Sequence, residues 1–162
     1  MRERAATLDD APAFGALIAG GFTSYRAFQP AGWEPPGAAA ETARSAERLA
    51  RPGTWARLAL DGATPAGCVL FEPAPGLPGV AHLANLFVDP AWWGTGLAAR
   101  LHGGAVAAMR ERGHRTGRLF TPEAQGRARR FYEREGWTAA GPPEADAAFG
   151  METVEYRRTV PG

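Results

Sequence analysis

Residues Ala81–Gly113 read AHLANLFVDPAWWGTGLAARLHGGAVAAMRERG, and the way this stretch divides decides the fold. The apolar run AHLANLFV predicts a strand. DPAWWGTG predicts a turn. The remainder, with Leu97, Leu101, Ala105, Ala108 and Met109 at helical spacing, predicts a helix. A helix opening on such a turn leaves its first amide N–H groups without carbonyl partners, and its dipole adds about half a positive charge at that end. The corner therefore suits a phosphate or pyrophosphate group. Gly94 and Gly96 carry no Cβ, so an anion reaches the backbone closely and a positive φ costs little. Gly103 and Gly104, inside the helix, each cost about 1 kcal/mol against alanine; close packing of the helix on a sheet is the expected reason.

Upstream, Arg2–Thr7 predicts a short strand, and Asp9 or Asp10 is the expected cap of a helix over Ala11–Phe22. A loop holding Phe28, Trp33 and Glu34 leads to a second helix over Ala38–Ala50, stopped before Pro52. TWARLAL and AGCVLFEP are strands joined by an Asp-Gly hairpin turn. Downstream, TGRLFTP is a strand, Gln125–Glu135 a short helix ended at Gly136, and TAAG and METVEYRRTV the last two strands, joined by a loop holding PPEADAAFG. This is a mixed α/β order with a strand meander before the central helix. Its 162 residues suit one domain over 1–162.

Composition narrows the class. Hydrophobic residues are 45% and charged residues 22%, enough for a real core. A net charge of +1 argues against a general nucleic-acid or membrane-surface binder. No apolar run approaches the roughly 20 residues of a membrane span, and the start has no signal-peptide core. Cys68 is the single cysteine, which fits a reducing cytoplasm. In an apolar strand it is expected to be inert. His82, His102 and His114 show no metal-ligand spacing, so no metal is expected.

The chain resembles the GNAT superfamily of acyl-CoA-dependent N-acetyltransferases. WGTGLA, Trp93–Ala98, matches the family's phosphate turn, Gln/Arg-x-x-Gly-x-Gly/Ala, with Trp93 where a glutamine or arginine is usual. LFVDPAWW looks like the family's fourth strand and its exit. QGRARRFYEREGW looks like its Asn-x-x-Ala-x-x-Phe-Tyr helix, with Gln125 for the asparagine and Ala128 in place. The resemblance implies a central, mostly antiparallel sheet of six to seven strands flanked by about four helices, with the fourth and fifth strands splayed. It implies acetyl-CoA as co-substrate and acetyl transfer to a primary amine of a small molecule or peptide. Trp93, Gly94, Thr95, Gly96, Leu97 and Ala98 would bind pyrophosphate. Leu86, Phe87 and Val88 would align pantetheine, with the Phe87 or Val88 amide facing the thioester oxygen, and Gln125 and Ala128 would border the arm. A homodimer is compatible with this family.

Two side chains carry the expected chemistry. Tyr132 aligns with the tyrosine near the CoA sulfur, and a phenol with a pKa near 10 can donate a proton at neutral pH. His82 aligns near the family's basic glutamate and titrates near physiological pH; Glu34 and Glu72 are other options. Asn85 is out of alternation with His82, so the two should face opposite ways unless a bulge intervenes. Arg127, Arg129, Arg130 and Arg134 read mainly as a solvated helix face, the alternative being that one of them meets the 3′-phosphate. Tyr25, Phe28, Trp33, Glu34, Glu144, Asp146 and Phe149 are the expected acceptor wall, and such aromatics with carboxylates suit a cationic amine. Two other classes compete: a non-catalytic acyl-CoA-binding module, and a dinucleotide-binding oxidoreductase through Gly-x-Gly-x-x-Ala. The second lacks the acidic residue expected about 20 positions on.

Overall fold

The computed structural model describes residues 1–147 and 149–162. The elements are β1 (Arg2–Ala5), α1 (Ala11–Thr23), α2 (Ala38–Ala50), β2 (Trp55–Asp61), β3 (Thr64–Pro73), β4 (Val80–Val88), α3 (Leu97–Glu111), β5 (Thr116–Pro122), α4 (Gly126–Arg134), β6 (Thr138–Ala139), β7 (Glu144–Asp146) and β8 (Met151–Thr159). The sheet runs β1-β2-β3-β4-β5-β8-β6, with β7 also on β8. Every pairing is antiparallel except β4 with β5. Among the described residues eight strands form where six to seven are expected, because Glu144–Asp146 pairs with β8 inside the stretch read as a loop. Three residues behind Pro142 and Pro143 are too few to show a period of two.

The sheet is covered on both faces. β3 is buried almost end to end, as its continuous apolar run requires. Its Val69 and Phe71 join Leu97, Leu101, Ala105 and Met109 of α3 in one core. Its Cys68 and Leu70 join Phe14, Ile18 and Phe22 of α1 in the other. Burial pushes the Cys68 thiol up to about 12, so it is inert. Neither Gly103 nor Gly104 is there for close packing. A Cβ on Gly103 would meet open space, and one on Gly104 would lie 3.7 Å from the Trp55 ring, an ordinary contact. Nor does Asp10 cap α1. Its carboxylate accepts from both Arg4 terminal nitrogens at 2.8 Å and from the Thr7 amide, which holds it down to about 2.

β4 is irregular along both of its edges. It pairs with β5 only over Val80–His82 against Thr116–Arg118, and beyond that the strands diverge. On the other side its register against β3 slips, Leu70 opposing Asn85 and Phe71 opposing Leu83, so Ala84 is an inserted residue. No helix is long and apolar enough to cross a membrane among the described residues.

His102 on α3 is 1% exposed and accepts a hydrogen bond from the Trp137 indole at 2.9 Å through Nε2. That nitrogen must be unprotonated. Burial, then Arg158, lower the ring from 6.5 to about 4. Between those values the unfolded chain binds more protons than the folded one, so stability is full above about 6.5 and falls as pH drops toward 4. For a ring this buried the whole difference is of the order of 3 kcal/mol. Thermal melts should therefore lose stability across this window, and His102→Gln, which keeps an acceptor for Trp137, should shallow the slope. An unchanged slope in the variant would remove His102 as its source.

Candidate functional site

The end of β4 and the start of α3 form one wall of a cavity of about 800 Å³. Gly94 and Gly96 have φ of +78° and +81°, the left-handed values that favour glycine. They turn the chain so that Leu97, Ala98 and Ala99 begin α3, and their amides find no backbone carbonyl among the described residues. Gly94, Gly96, Leu97 and Ala98 line this cavity, as do Leu86, Phe87, Val88, Trp93, Gln125 and Ala128. Thr95 does not: its hydroxyl turns back to the Trp92 carbonyl at 2.7 Å.

The opposite wall is α4, whose solvated arginine face borders the cavity. Arg127, Arg130 and Arg134, one stripe of α4, all line the cavity. None of the three forms an ion pair among the described residues. Arg129 is occupied elsewhere, donating to Tyr156 at 2.9 Å and to the Glu123 carbonyl, and Arg134 lies over the Phe131 ring, 5.7 Å from its centroid. Arg127 stacks over the Trp93 ring at 3.8 Å, and the Trp93 indole donates to the Val88 carbonyl at 2.8 Å. Trp93 thus joins the β4 exit to α4. The α3 amides and three guanidiniums without ion-pair partners among the described residues put positive charge on both walls of the cavity.

A second cavity of about 280 Å³ opens on the other side of β4. Tyr25, Leu86, Phe87, Ala128 and Tyr132 line both cavities, so the two meet at the splay. Gly21 makes this junction possible, since a Cβ there would lie 2.3 Å from the Phe87 ring. Burial raises Tyr132 above the ordinary phenol, with Tyr25 adding to it, and the phenol stays protonated at neutral pH. Its hydroxyl makes no hydrogen bond to the described residues.

The bulge at Ala84 settles the relation of His82 to Asn85. Without it the two would face opposite ways; with it both lie on the wall of the second cavity. Among the described residues, His82 Nδ1 and Asn85 Oδ1 are buried without hydrogen-bond partners. Burial, with Arg118 and Arg48, lowers His82 to about 4, so the ring is neutral at pH 7 and its basicity is low.

The far wall is not among the residues that the sequence singles out. Glu41, Arg44 and Arg48 of α2 line the second cavity. Glu41 is almost wholly buried, accepts from Arg44 at 2.9 Å, and is raised by burial against the pull of Arg44 and Arg48. Arg48 and Arg51 both donate to buried Glu72, so Glu72 is occupied and lines neither cavity. Of the expected acceptor residues, Tyr25, Asp146 and Phe149 line the second cavity and Phe28 the first. Glu34 is instead exposed in an ion pair with Arg26, Trp33 donates to the Phe149 carbonyl at 2.8 Å, and Glu144 is an exposed β7 residue. The spacing of residues 41, 44 and 48 is the available signal for α2, since it marks one helix face.

Comparisons with known proteins bear on this geometry. The acetyltransferase (GNAT) family model matches residues 20–137. A GNAT-family acetyltransferase from Desulfovibrio desulfuricans is 25% identical over 99% of both chains, with a TM-score of 0.78. Two solved structures below that identity bear on the fold alone. Aminoglycoside 6′-acetyltransferase type Ii is 16% identical, covers 100% of this chain and 99% of its own, and has a TM-score of 0.75. The PaiA N-acetyltransferase of Thermoplasma acidophilum, solved with coenzyme A, is 12% identical over 98% of both chains, with a TM-score of 0.73. A search of curated proteins finds no significant relative.

Gly96→Glu would set a carboxylate at the mouth of the α3 amides. Calorimetry should show coenzyme A binding weakened by about tenfold or more, about 1.4 kcal/mol or more. Unchanged affinity would remove this corner as the anion site.

Proposed function

We propose that this chain, which belongs to the acetyltransferase (GNAT) family, moves an acetyl group from acetyl-CoA to a primary amine of a small molecule by direct attack. Acetyl transfer is the activity of the family. The observation that carries the finer reading is the meeting of an anion-binding cavity with a second, smaller one beside Tyr132, where β4 has left β5. One cavity suits the diphosphate and pantetheine arm, and the other suits the acceptor.

The chain's own groups support each step. The α3 amides and the α4 arginines bind phosphate charge. The unpaired edge of β4, Leu86–Val88, offers backbone groups to the pantetheine amides, and the Phe87 or Val88 amide donates to the thioester oxygen as it becomes an oxyanion. The amine nitrogen forms its bond to the carbonyl carbon, and the carbon–sulfur bond breaks. One proton leaves nitrogen, and one is gained by sulfur. His82, neutral at working pH, accepts the first directly or through water once positive charge develops on the attacking nitrogen. Tyr132 donates to the leaving thiolate. Its raised affinity for its proton makes it a stabilising donor first, and the proton lost by the amine restores it.

Tyr132→Phe should lower kcat by about a hundredfold with little change in coenzyme A affinity. Free-thiol release from acetyl-CoA across a panel of amines, set beside calorimetric binding, measures both. Full activity in the variant would end the role of Tyr132. Acetyl-CoA that binds without any amine being acetylated would end the transfer reading.

A further inference from the structure

The acceptor cavity carries an unexpected charge. Four guanidiniums, of Arg44, Arg48, Arg51 and Arg118, stand in or beside it, against three carboxylates, of Glu41, Glu72 and Asp146. Glu72 is shared by two of those arginines, and Asp146 is already engaged. Arg118, paired in register with His82, forms no ion pair among the described residues and has a buried Nε without a partner. Burial is the first cause that lowers both His82 and Arg48; Arg118 and Arg48 lower His82 further, and Arg51 and Arg44 act the same way on Arg48, against Glu72 and Glu41. Such a field repels a polycation. It also disfavours the ammonium form of any amine placed beside His82, which helps to present the reactive neutral form.

Arg44 is the cation best placed to meet a ligand. Its side chain is 42% exposed, whereas that of Arg48 is 22% exposed and committed to Glu72. Arg44 lies over the Phe149 ring, 5.8 Å from its centroid, and its hydrogen bond to Glu41 through one terminal nitrogen leaves other donors of the fork for a second carboxylate. Between Arg44 and the Tyr132 junction the wall is apolar, built by Phe22, Phe87, Phe149 and Met151. At about 280 Å³ the space holds roughly nine waters' worth of ligand, the scale of one amino acid.

We infer that the acceptor is an amine that also bears a carboxylate on a compact apolar body, an α-amino acid with a large apolar side chain being the simplest case, and that Arg44 reads the carboxylate. This rests on the acetyl-transfer reading. The amine lies toward His82, Asn85 and Tyr132. The carboxylate lies against the Arg44 fork, and the side chain lies on the Phe22–Phe87–Phe149 wall.

The test compares phenylalanine with phenethylamine, which differ only in the carboxylate, and with kanamycin as a polycation, under saturating acetyl-CoA. Thiol release and product mass are followed. The wild type should show kcat/KM for phenylalanine about tenfold or more above phenethylamine, with kanamycin last. Arg44→Gln should bring the ratio of the first two near one, and Arg44→Lys should restore part of it. Phenethylamine or kanamycin preferred by the wild type, or a ratio unmoved in Arg44→Gln, overturns the inference and leaves acetyl transfer standing. If Arg44→Gln fails to fold, the wild-type ratio and Arg44→Lys decide. No turnover of any amine, with acetyl-CoA bound, overturns both readings.

Discussion

The organisation of this molecule depends on a pairing that stops. β4 holds β5 for three residues and then lets go. Every backbone polar group within a sheet needs a partner, and an edge without one is an open site for a ligand that can supply donors and acceptors in extended form. The separation places that edge in the middle of the sheet rather than at its margin. The fold holds it open from both sides, because α3 and its apolar stripe are fixed on one face and α1 on the other. The glycine corner at Gly94–Gly96 and the junction at Tyr132 inherit their positions from this divergence.

The single inserted residue at Ala84 has a comparable reach. It rotates the strand by one step, so that His82, Ala84, Asn85 and Phe87 share a face while Leu83, Leu86 and Val88 keep the opposite one in the α3 core. Polar residues are thereby brought to the second cavity without removing an apolar residue from the other core. Two buried polar atoms left without partners are the cost, and orphaned groups of this kind are rare enough in folded proteins to call for a partner from outside.

How much of this the chain announces depends on the kind of signal. The β4 strand, its glycine turn and α3 are legible because three local rules agree: apolar alternation, positive-φ glycines and a helical stripe. Tyr132 and the Trp93–Ala98 turn are legible through resemblance. The bulge is not, because Leu83, Ala84 and Asn85 carry no periodicity strong enough to show a shift of one. The bounds of α2 at Ala38–Ala50 can be read from the chain, yet its inward face is hidden. It has few large apolar residues, and a carboxylate as buried as Glu41 runs against the usual distribution. The three α4 arginines are exposed as read, but the cavity they border is hidden, since spacing alone does not tell a helix face on open water from one beside a cavity.

The margins of the sheet carry a consequence for the chain in a crowded solution. One border is β1, only four residues long and reading RERA, and the other is shared by β6 and β7, of two and three residues. Short borders, one of them charged, offer a neighbouring molecule too few consecutive backbone groups to extend the ladder. The unpaired stretch of β4 lies between β3 and β5, lining two cavities rather than forming a border of the sheet.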